Sequence, residues 1–536
     1  MSSQLSNVLV IGAGPVGLIT ALALAQNGIS VRVVDKAKDF AVGQRGSGIS
    51  PRTLEAYRLL GIYDEMMKVA HEYPDVLEWN QDGKKLRVSQ MMARVEPTPD
   101  TPIPNGKRVA QEDTMAVLRA QLGKYGVTVE PGMELVKVEQ DDAGVIATLL
   151  HDGISENIRV AYVVAADGAK GPTRKLVGIP FLGVSREEIG MLVGDLELFG
   201  SLDRVHWHKF QDANSNWIRA RAVPEKPNVF FLSSHGPDLD LKRGASDTSY
   251  LQQYIRAVTK QDDITVGKVL TLQEWRMNVR IVDRFRAGRV FIAGDAAHVH
   301  SPLGGQGLNT GAMDAMNLAW KLVAVIKGVA TDKLLNTYEE ERKSVVSDML
   351  QFTNGIATQT FKIGAESSAW TRSRAGTQLA MHYRWSSVVR DEVNSGIKTA
   401  DGAGAYATSG ADEMLRAGDR APDAPELVGV NSKATALYDI FGATHHTVLV
   451  FEPALVDAVS AVLTRFPSDL IRTIVFNASG ASLPGAYDDT AGHARRAYGS
   501  AAVAVVRPDG VVGALLRGSE GLEAYFGGIF SAAVAV

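Results

Sequence analysis

A glycine-rich loop beside one aspartate is the part of the chain whose residue types could do chemistry. Residues 290–293 form a short apolar run typical of a buried strand, and Gly294 and Asp295 follow it directly. Residues 304–307 include three glycines, and apolar side chains at helical spacing come after them. A strand, a loop and a helix in this order direct backbone N–H groups towards an electron-rich ligand, helped by the positive end of the helix dipole. The loop by itself therefore predicts an anion or cofactor site.

A second glycine pattern lies near the start of the chain. Gly12, Gly14 and Gly17 follow a predicted strand and open a predicted helix, and Asp35 stands at the end of the next predicted strand. In that context the glycines form the dinucleotide-binding fingerprint: the first permits the turn, the second admits a pyrophosphate, and the third lets helix and strand pack closely. Asp35 can accept a hydrogen bond from a ribose hydroxyl. The pattern predicts a dinucleotide site without separating NAD from FAD.

Two further segments carry residues that could reach the same ligand. A glycine-rich loop holds Arg45, and the helix after it holds Arg52. We expect Arg45 to contact a cofactor and Arg52 to have a structural role, with an exposed surface position as the alternative for both. Asp167 and Gly168 follow another predicted buried strand, and open α/β sheets bind ligands at such carboxyl ends.

The elements that position these residues belong to a long chain of nearly balanced charge. Its 536 residues are 45% hydrophobic and 22% charged, with a net charge of −4, which suffices for two or three domains. No block of Lys and Arg predicts nucleic-acid binding, and no apolar run approaches the roughly 20 residues that span a bilayer. The polar residues 1–7 lead directly into a strand, so we expect no signal peptide and a cytoplasmic location. The absence of cysteine excludes disulfides, cysteine-ligated zinc and thiol catalysis.

The middle of the chain has the pattern of a β-sheet domain. Residues 184–275 are predicted to be all-β, and residues 72–105 contribute alternating and proline-rich pieces. Aromatic residues in this region either line an apolar pocket or fill a packed core, and both alternatives stay open: Trp207, Phe210, Trp217, Phe230 and Phe231. The histidines among them lack clustered carboxylates, so we expect no metal site.

The last third of the chain begins with helices and ends in a new α/β pattern. Long helices are predicted over 308–328 and 332–363, and residues 393–425, rich in Gly, Ala, Ser, Thr and Asp, are predicted to be a linker. A strand, a helix, a strand, a hairpin and a short helix follow. This order suggests a thioredoxin-like module, and the lack of cysteine excludes redox activity there.

Together these motifs resemble those of the group A flavoprotein monooxygenases, the aromatic hydroxylases of para-hydroxybenzoate hydroxylase type. The resemblance rests on the turn at residues 12–17, on Asp167 and Gly168, and above all on residues 294–309. It covers nearly the whole chain and is strongest to the phenol and polyketide hydroxylase branches, which carry a C-terminal thioredoxin-like domain.

The resemblance implies an α/β fold in which a Rossmann-type FAD-binding domain holds an inserted β-sheet substrate domain. The implied FAD-binding domain comprises residues 1–75, 105–183 and 285–345, and the substrate domain comprises 76–104 and 184–284. A helical segment, 346–392, the linker, 393–425, and a thioredoxin-like domain, 426–536, complete the expected organisation.

The resemblance also implies FAD contacts for residues that match the family's motifs. These residues are Gly12, Gly14, Pro15, Val16, Gly17, Asp35, Lys36, Arg45, Gln111, Arg119, Asp167, Gly168, Arg174, Gly294, Asp295, Pro302, Gly305, Gly307, Leu308 and Asn309. Asp295 would bind the ribityl chain, and the N–H groups of residues 307–309 would face the N1/O2 edge of the flavin, where negative charge gathers on reduction. Pro302, beside the reactive C4a edge, and Arg45 would act in catalysis, and the segment from Asp167 to Arg174 would also handle NADPH.

The implied reaction inserts one atom of O₂ into a small aromatic, phenolic or polyketide-like substrate. NADPH would reduce FAD, the reduced flavin would trap O₂ as a C4a-hydroperoxide, and an electron-rich substrate carbon would attack the distal oxygen. The protein would position the substrate and exclude water. The choice of NADPH over NADH rests on the resemblance alone, and the sequence leaves a homodimer as an open alternative.

The sequence departs from the family's pattern at one position, and it leaves several alternative functions open. Phenol hydroxylase-type enzymes place an aspartate where this chain has Ser47, so a carboxylate that deprotonates a phenol is in doubt. Baeyer–Villiger or decarboxylative oxidation on the same scaffold is the main alternative, followed by a non-catalytic flavin-binding protein. A disulfide reductase is excluded by the lack of cysteine, and a flavin halogenase by the absence of its tryptophan signature at residues 274–277.

Overall fold

The computed structural model describes residues 7–301, 304–363, 374–394, 404–406, 414–429, 434–477 and 485–531, without the side chains of 187–188, 358–363 and 374–375. Its helices, in chain order, are α1 Pro15–Gln26, α2 Pro51–Leu59, α3 Tyr63–Met67, α4 Gln111–Gly123, α5 Thr173–Leu176, α6 Leu241–Ser246, α7 Thr248–Thr259, α8 Gly307–Ile326, α9 Lys333–Ile363, α10 Leu437–Ile440, α11 Val456–Leu463, α12 His493–Tyr498 and α13 Glu520–Ile529. Within the described part of the chain, no helix is long and apolar enough to cross a membrane.

The strands of the first half are β1 Val8–Ile11, β2 Val31–Asp35, β3 Gly48–Ile49, β4 Val76–Trp79, β5 Lys85–Ser89, β6 Lys107–Arg108, β7 Val129–Pro131, β8 Glu134–Asp141, β9 Gly144–His151, β10 Ile154–Val160, β11 Tyr162–Ala165, β12 Phe181–Phe199, β13 Trp207–Gln211, β14 Trp217–Ala222, β15 Val229–His235 and β16 Thr265–Val282. Those of the second half are β17 Arg286–Ala287, β18 Val290–Ile292, β19 His298–Val299, β20 Arg390–Asp391, β21 Leu427–Gly429, β22 Ala434–Thr435, β23 His446–Val450, β24 Ile471–Phe476, β25 Ala486–Asp488, β26 Val503–Val506 and β27 Val512–Leu516.

The first sheet carries the predicted fingerprint and runs in the order β17-β18-β11-β1-β2-β7. Strand β1 lies in its centre, parallel to β11 and β2, with Val8 opposite both Tyr162 and Val31. All four residues of β1 are buried, as expected for a parallel strand that is covered on both faces. Helices α1 and α8 pack against each other beside this sheet. The predicted strand, glycine turn, helix and second strand are confirmed here.

The large sheet runs in the order β19-β16-β12-β15-β14-β13-β4-β5, and a separate ribbon has the order β10-β9-β8. The prediction that residues 184–275 are all-β was wrong at helices α6 and α7, which cover one face of this sheet. The Asp247 side chain accepts from the N–H of Tyr250 and so caps α7. Apolar side chains from Leu251 to Val258 then recur at helical spacing and pack onto the sheet core, which is why this stretch is helical.

The C-terminal sheet has the order β20-β27-β26-β23-β24-β25-β21-β22. Strand β23 is parallel to β24 and antiparallel to β26, and α11 lies between β23 and β24 in the chain. The predicted strand, helix, strand and hairpin are thus confirmed as elements, while their thioredoxin-like character stays a prediction. Apolar residues of this sheet belong to the same continuous core as those of the first sheet.

The segments before this sheet differ from their predictions. Residues 346–392 were expected to be helical; α9 accounts for the part up to Ile363, and the described residues 378–394 contain no α-helix. In the expected linker, 393–425, Ala405 and Tyr406 are buried and the Tyr406 hydroxyl donates to Gln306 Oε1 at 2.6 Å. Its small residues pack into the fold, so this composition does not mark an exposed linker; residues 395–403 and 407–413 lie outside the described ranges.

A buried ionic cluster joins the C-terminal sheet to the helices α8 and α9. Glu341 accepts from Arg507 at 2.6 and 2.9 Å and from Lys321 at 2.8 Å. Arg507 also pairs with Asp509, and the four charged side chains are at most 4% exposed. Burial opposes ionisation of Glu341, but Arg507 and Lys321 outweigh it and hold the pKa of this carboxyl well below its usual value. The cluster therefore carries two cations and two anions in balance.

We expect Glu341→Gln to lower the free energy of unfolding by about 3 to 5 kcal/mol, because it leaves two buried cations facing one carboxylate. Urea unfolding followed by circular dichroism measures the change. Glu523→Gln is the matched control, since Glu523 pairs with Arg465 on the surface and its loss should leave the unfolding midpoint unchanged. Equal midpoints for both variants would contradict a stabilising role of the buried cluster.

Candidate functional site

One large cavity lies at the carboxyl ends of β1, β2, β11 and β18 and continues to the large sheet. It has a volume of about 1550 Å³. Its wall includes the turn after β1, the segment after β11, the loop before α8, and side chains of β14 and β15. Single-ligand pockets commonly measure about 300 to 1,000 Å³, so this cavity has room for a large cofactor and a second molecule.

The glycines of the first turn differ in what surrounds them. A Cβ on Gly12 would lie 2.3 Å from the carbonyl oxygen of Ala166, and one on Gly17 would lie 1.9 Å from the carbonyl oxygen of Gly12. Both positions therefore require glycine for close backbone packing. A Cβ on Gly14 meets no atom within 4 Å, and Gly14 lines the cavity. Only Gly14 thus leaves backbone surface open to a ligand.

Asp35 lies behind the cavity wall and stabilises this turn through hydrogen bonds. Its Oδ2 accepts from the N–H of Ala13 at 2.7 Å, and its Oδ1 accepts from the N–H of Ala37 at 2.8 Å. A carboxylate has lone pairs for further donors, so the bond to a ribose hydroxyl stays a prediction. Lys36, the next residue, lines the cavity.

The buried carboxylate of Asp314 on α8 holds the turn after β18. Its Oδ2 accepts from the N–H of Gly294 at 2.9 Å and from His298 Nε2 at 2.7 Å, and its Oδ1 accepts from Arg342 Nε at 2.7 Å. Burial opposes ionisation, but Arg342 and His298 outweigh it and keep the pKa of the Asp314 carboxyl below its usual value. The backbone at Gly294 is therefore fixed by a charged group that no solvent reaches.

Asp295, one residue further on, faces the cavity. Its side chain is exposed there and has no hydrogen-bond partner among the described residues. The protein around it desolvates the carboxyl and raises its pKa, an effect that nearby His298 opposes and Asp314 reinforces. A ligand that brings hydroxyl donors to Asp295 would satisfy it.

Asn309 connects the two glycine-rich loops. Its Oδ1 accepts from the N–H of Ser50 at 2.8 Å, and its Nδ2 donates to the carbonyl oxygens of Gly48 at 2.9 Å and Gly305 at 2.7 Å. The side chain is fully buried. The N–H groups at residues 307–309 begin α8 and lack partners within the helix, so they are the donors that this loop can offer to a ligand.

The cavity wall near Ser47 is cationic. Arg221 on β14 donates from Nη2 to Ser47 Oγ at 2.8 Å and from Nη1 to Gln44 Oε1 at 3.1 Å. The position where an aspartate was expected by resemblance is therefore a serine beside a guanidinium. His300 lies in the same wall; burial, aided by His298, lowers the pKa of its imidazole to about 4, so it is neutral at neutral pH.

Most predicted site residues line this cavity: Gly14, Pro15, Val16, Lys36, Arg45, Gln111, Asp167, Gly168, Asp295, Gly305, Gly307 and Leu308. Others support the wall from behind: Gly12, Gly17, Asp35, Gly294 and Asn309. Pro302, predicted to be catalytic, lies outside the described residues.

The structure does not bring two predicted arginines into the cavity wall. The guanidinium of Arg119 stacks over Phe40 at 3.9 Å, and that of Arg174 stacks over Phe181 at 3.9 Å. Arg174 also donates to the carbonyl oxygen of Ala296 at 2.8 Å. Their contacts with a cofactor stay predictions. Arg52 is buried and donates to the backbone of Gly510, so it has the structural role expected of it and no surface position.

Several residues of this site were not predicted from the sequence. They are Asp314, His298 and Arg342 behind the turn, and Arg108, Arg219, Arg221 and His300 in the wall. A sequence signal existed for some of them. Asp314 is a lone acid in a helix whose other residues are mostly apolar, and Arg219 and Arg221 alternate with Ala220 and Ala222 along one strand.

Comparison with known proteins identifies the family. The model of a family described as the FAD binding domain matches residues 6–353, which include the first sheet, the large sheet and the Asp314 helix. The chain belongs to this family. With the relatives below, this membership makes it an FAD-dependent monooxygenase.

Three relatives match the monooxygenase over most of its length. It is 33% identical over 520 residues to a flavin-dependent monooxygenase of Mycobacteroides abscessus, covering 95% of this chain and 96% of the relative. It is 29% identical to aklavinone 12-hydroxylase of Streptomyces purpurascens, covering 96% and 95%. It is also 29% identical to pentachlorophenol 4-monooxygenase of Sphingobium chlorophenolicum, covering 94% and 93%.

Two solved structures are similar along nearly the whole chain. A ternary complex of aklavinone-11 hydroxylase with FAD and aklavinone is 26% identical, with a TM-score of 0.76 and coverage of 98% of this chain and 99% of that one. A flavin-dependent monooxygenase solved with FAD and substrate has a TM-score of 0.79 and the same coverage at 20% identity, and so shows the shared fold.

We expect alanine at the two glycines of the first turn to have opposite effects. Gly17→Ala should lower the stability of the flavin-free protein by about 1 to 3 kcal/mol, because its Cβ meets the Gly12 backbone. Gly14→Ala should leave that stability unchanged and weaken flavin retention, because its Cβ enters the cavity. Thermal unfolding of flavin-free protein and flavin absorbance of loaded protein separate the two effects. Equal destabilisation by both changes would contradict the placement of Gly14.

Proposed function

We propose that this monooxygenase inserts one oxygen atom into an aromatic, polyketide-like substrate, with FAD as cofactor, NADPH as reductant and O₂ as co-substrate. The observation that carries the proposal is one continuous cavity that joins the fingerprint turn to an aromatic-lined sheet. Relatives over the full chain include a hydroxylase of aklavinone and a monooxygenase of pentachlorophenol, which supports an electron-rich ring as the substrate.

The residues present fit FAD. Gly14 leaves open backbone beside the cavity for a pyrophosphate, and Asp295 supplies an acceptor that lacks a donor among the residues that the structure describes. The start of α8 adds N–H donors and the positive end of a helix dipole, which suit the negative charge of a reduced flavin. We therefore assign Gly14, Asp295 and residues 307–309 to the pyrophosphate, the ribityl hydroxyls and the flavin ring.

The substrate would lie between the flavin position and the large sheet. Trp207 and Phe231 from the sheet, together with Met191 and Val193 from β12, present apolar surface to the cavity. Phe210, Trp217 and Phe230 are buried in hydrophobic cores instead. Of the aromatic residues named from the sequence, two therefore line the cavity and three fill packed cores. An apolar wall of this size favours a ring system rather than a small polar molecule.

The protein contributes positioning and exclusion of water to the reaction. Bound FAD, once reduced, supplies the activation of O₂ for transfer of a single oxygen atom. The aromatic wall keeps water from the reacting atoms and holds the ring, which is proximity and desolvation work. His300, which is half-buried and neutral and whose Nε2 lacks a hydrogen-bond partner among the described residues, adds no charge to the cavity.

We expect Asp295→Ala to reduce bound flavin by about tenfold or more at equal protein concentration, because one or two charge-assisted hydrogen bonds are lost. The ratio of flavin absorbance to protein absorbance measures it, and circular dichroism checks the fold. Asp142→Ala, in an exposed turn of the ribbon, is the control and should retain wild-type flavin. Unchanged flavin content in the Asp295 variant would refute its assignment.

The reaction is tested by NADPH oxidation with simultaneous O₂ and H₂O₂ detection across phenols, hydroxybenzoates, polycyclic quinones and cyclic ketones. We expect a polycyclic phenol or quinone to accelerate oxidation and to gain one atom of ¹⁸O from labelled O₂, with little H₂O₂. Acceleration only by cyclic ketones, with lactone products, would replace hydroxylation by Baeyer–Villiger chemistry. Bound FAD without acceleration by any compound would contradict the monooxygenase proposal.

A further inference from the structure

The sheet side of the cavity is lined by buried cations. Arg108, at the end of the short strand β6, is 7% exposed, and Arg221 on β14 is 2% exposed. Both residues line the cavity, and among the described residues neither has a carboxylate within 4 Å as an ion-pair partner. A buried charge without a counter-charge is costly, so its presence at a ligand cavity calls for an explanation.

The register of the large sheet fixes how Arg221 is held. Trp207 and Phe231 lie directly opposite Arg221 on its two neighbouring strands. Its guanidinium consequently lies 5.5 Å from the centre of the Trp207 ring and 4.7 Å from that of Phe231. Cation–π contacts and the neutral acceptors Gln44 and Ser47 orient the guanidinium, but they leave its positive charge uncompensated.

Three buried hydrogen-bond donors of the same wall have no acceptor in the part of the chain that the structure describes. Arg108 Nε, Arg221 Nε and Trp207 Nε1 are buried, and each lacks a hydrogen-bond partner among the described residues. The nearby carboxyl of Asp195 accepts from the N–H of Gln44 at 2.9 Å and does not reach Arg221. Burial raises the pKa of this carboxyl, an effect that the nearby Arg221 opposes.

The charge state of the wall agrees with its geometry. Desolvation, reinforced by the neighbouring Arg108, lowers the pKa of Arg221 to about 9. Desolvation also lowers the pKa of Arg108. Arg221 therefore remains protonated at neutral pH, and an anion bound beside these two guanidiniums would be the missing counter-charge.

We propose that the substrate carries an ionised acid group, a carboxylate attached to its aromatic ring system, which binds Arg108 and Arg221 in this wall. The proposal rests on the proposed function and narrows its substrate to an aromatic acid. Guanidinium groups bind carboxylates through paired, charge-assisted hydrogen bonds, and Trp207 Nε1 offers a further donor. The apolar rings beside Arg221 would contact the ring system to which the acid is attached.

Two probes that differ in charge alone test the proposal: 3-hydroxy-2-naphthoate and 3-hydroxy-2-naphthamide, titrated into flavin-loaded protein by calorimetry. We expect the carboxylate to bind about tenfold to a hundredfold more tightly than the amide, the range for hydrogen bonds to a charged partner. Equal affinities for the two probes, with flavin bound, overturn the proposal.

Variants of the two arginines test whether they cause the preference for the carboxylate. Arg221→Gln and Arg108→Gln should each lower naphthoate affinity about tenfold and leave naphthamide affinity within about twofold. Arg221→Lys should retain part of the preference, because it keeps the charge and loses the paired geometry. Arg243→Gln, which removes an exposed arginine on α6, is the control and should keep the full preference. Equal loss of both probes would indicate a structural role and overturn the proposal.

Binding of NADP⁺ is measured on the same variants, because a nucleotide phosphate is the other anion at hand. We expect it to be unchanged. Weaker NADP⁺ binding with an unaltered naphthoate preference would assign the wall to the nucleotide and overturn the proposal. The proposed function and the aromatic-acid proposal can be refuted separately. If no compound stimulates NADPH oxidation, the proposed function is refuted. If flavin-loaded protein binds naphthoate and naphthamide equally, only the aromatic-acid proposal is refuted.

Discussion

The arrangement of the cavity depends on one buried carboxylate, that of Asp314. Its three hydrogen bonds join the turn at Gly294, the imidazole of His298 and the guanidinium of Arg342, which come from three different elements. Because all of these groups are buried, the bonds are shielded from water and salt. Fixing Gly294 in this way leaves Asp295 as the residue that turns into the cavity. The carboxylate that faces the cavity, Asp295, is thus positioned by the buried carboxylate of Asp314, which does not line the cavity.

The same network reaches the C-terminal sheet. Arg342 also donates to the hydroxyl of Tyr383 at 2.8 Å. The guanidinium of Arg507, which binds Glu341 in the buried cluster, lies 5.6 Å from the centre of the Tyr383 ring. The C-terminal sheet therefore contributes buried charges that hold α9, and α9 in turn holds Arg342 against Asp314. The C-terminal sheet contains no cysteine, and its apolar residues belong to the same continuous core as the first sheet. Its role is therefore best explained as structural support for the site.

The sequence predicted those parts of the fold whose chemistry is local. At Gly12 and Gly17 a Cβ would meet neighbouring backbone, whereas a Cβ at Gly14 would meet open space. Such requirements fix the spacing of glycines in the sequence, and the run from Gly294 to Asn309 has a similarly characteristic spacing. Both patterns can therefore be recognised from the sequence. Helix α7 was missed inside a β-rich stretch, and the packed residues around Tyr406 were mistaken for a linker, because tertiary packing decides such segments and composition does not. Asp314 and Arg221 were missed because their partners come from other elements of the chain, and only the fold brings these groups together.

The two sides of the cavity differ in what they offer a ligand. The side at the strand ends presents acceptors, Asp167 and Asp295, whereas the sheet side presents donors and positive charge from Arg108 and Arg221. Such an arrangement favours a hydroxyl-rich molecule on the first side and an acidic one on the second, so each ligand would be disfavoured in the place of the other. Since Arg221 also donates to Ser47 of the loop that Asn309 clamps, the two sides are mechanically connected as well. The cationic wall and the start of α8, where the flavin edge is assigned, thus contact one and the same loop.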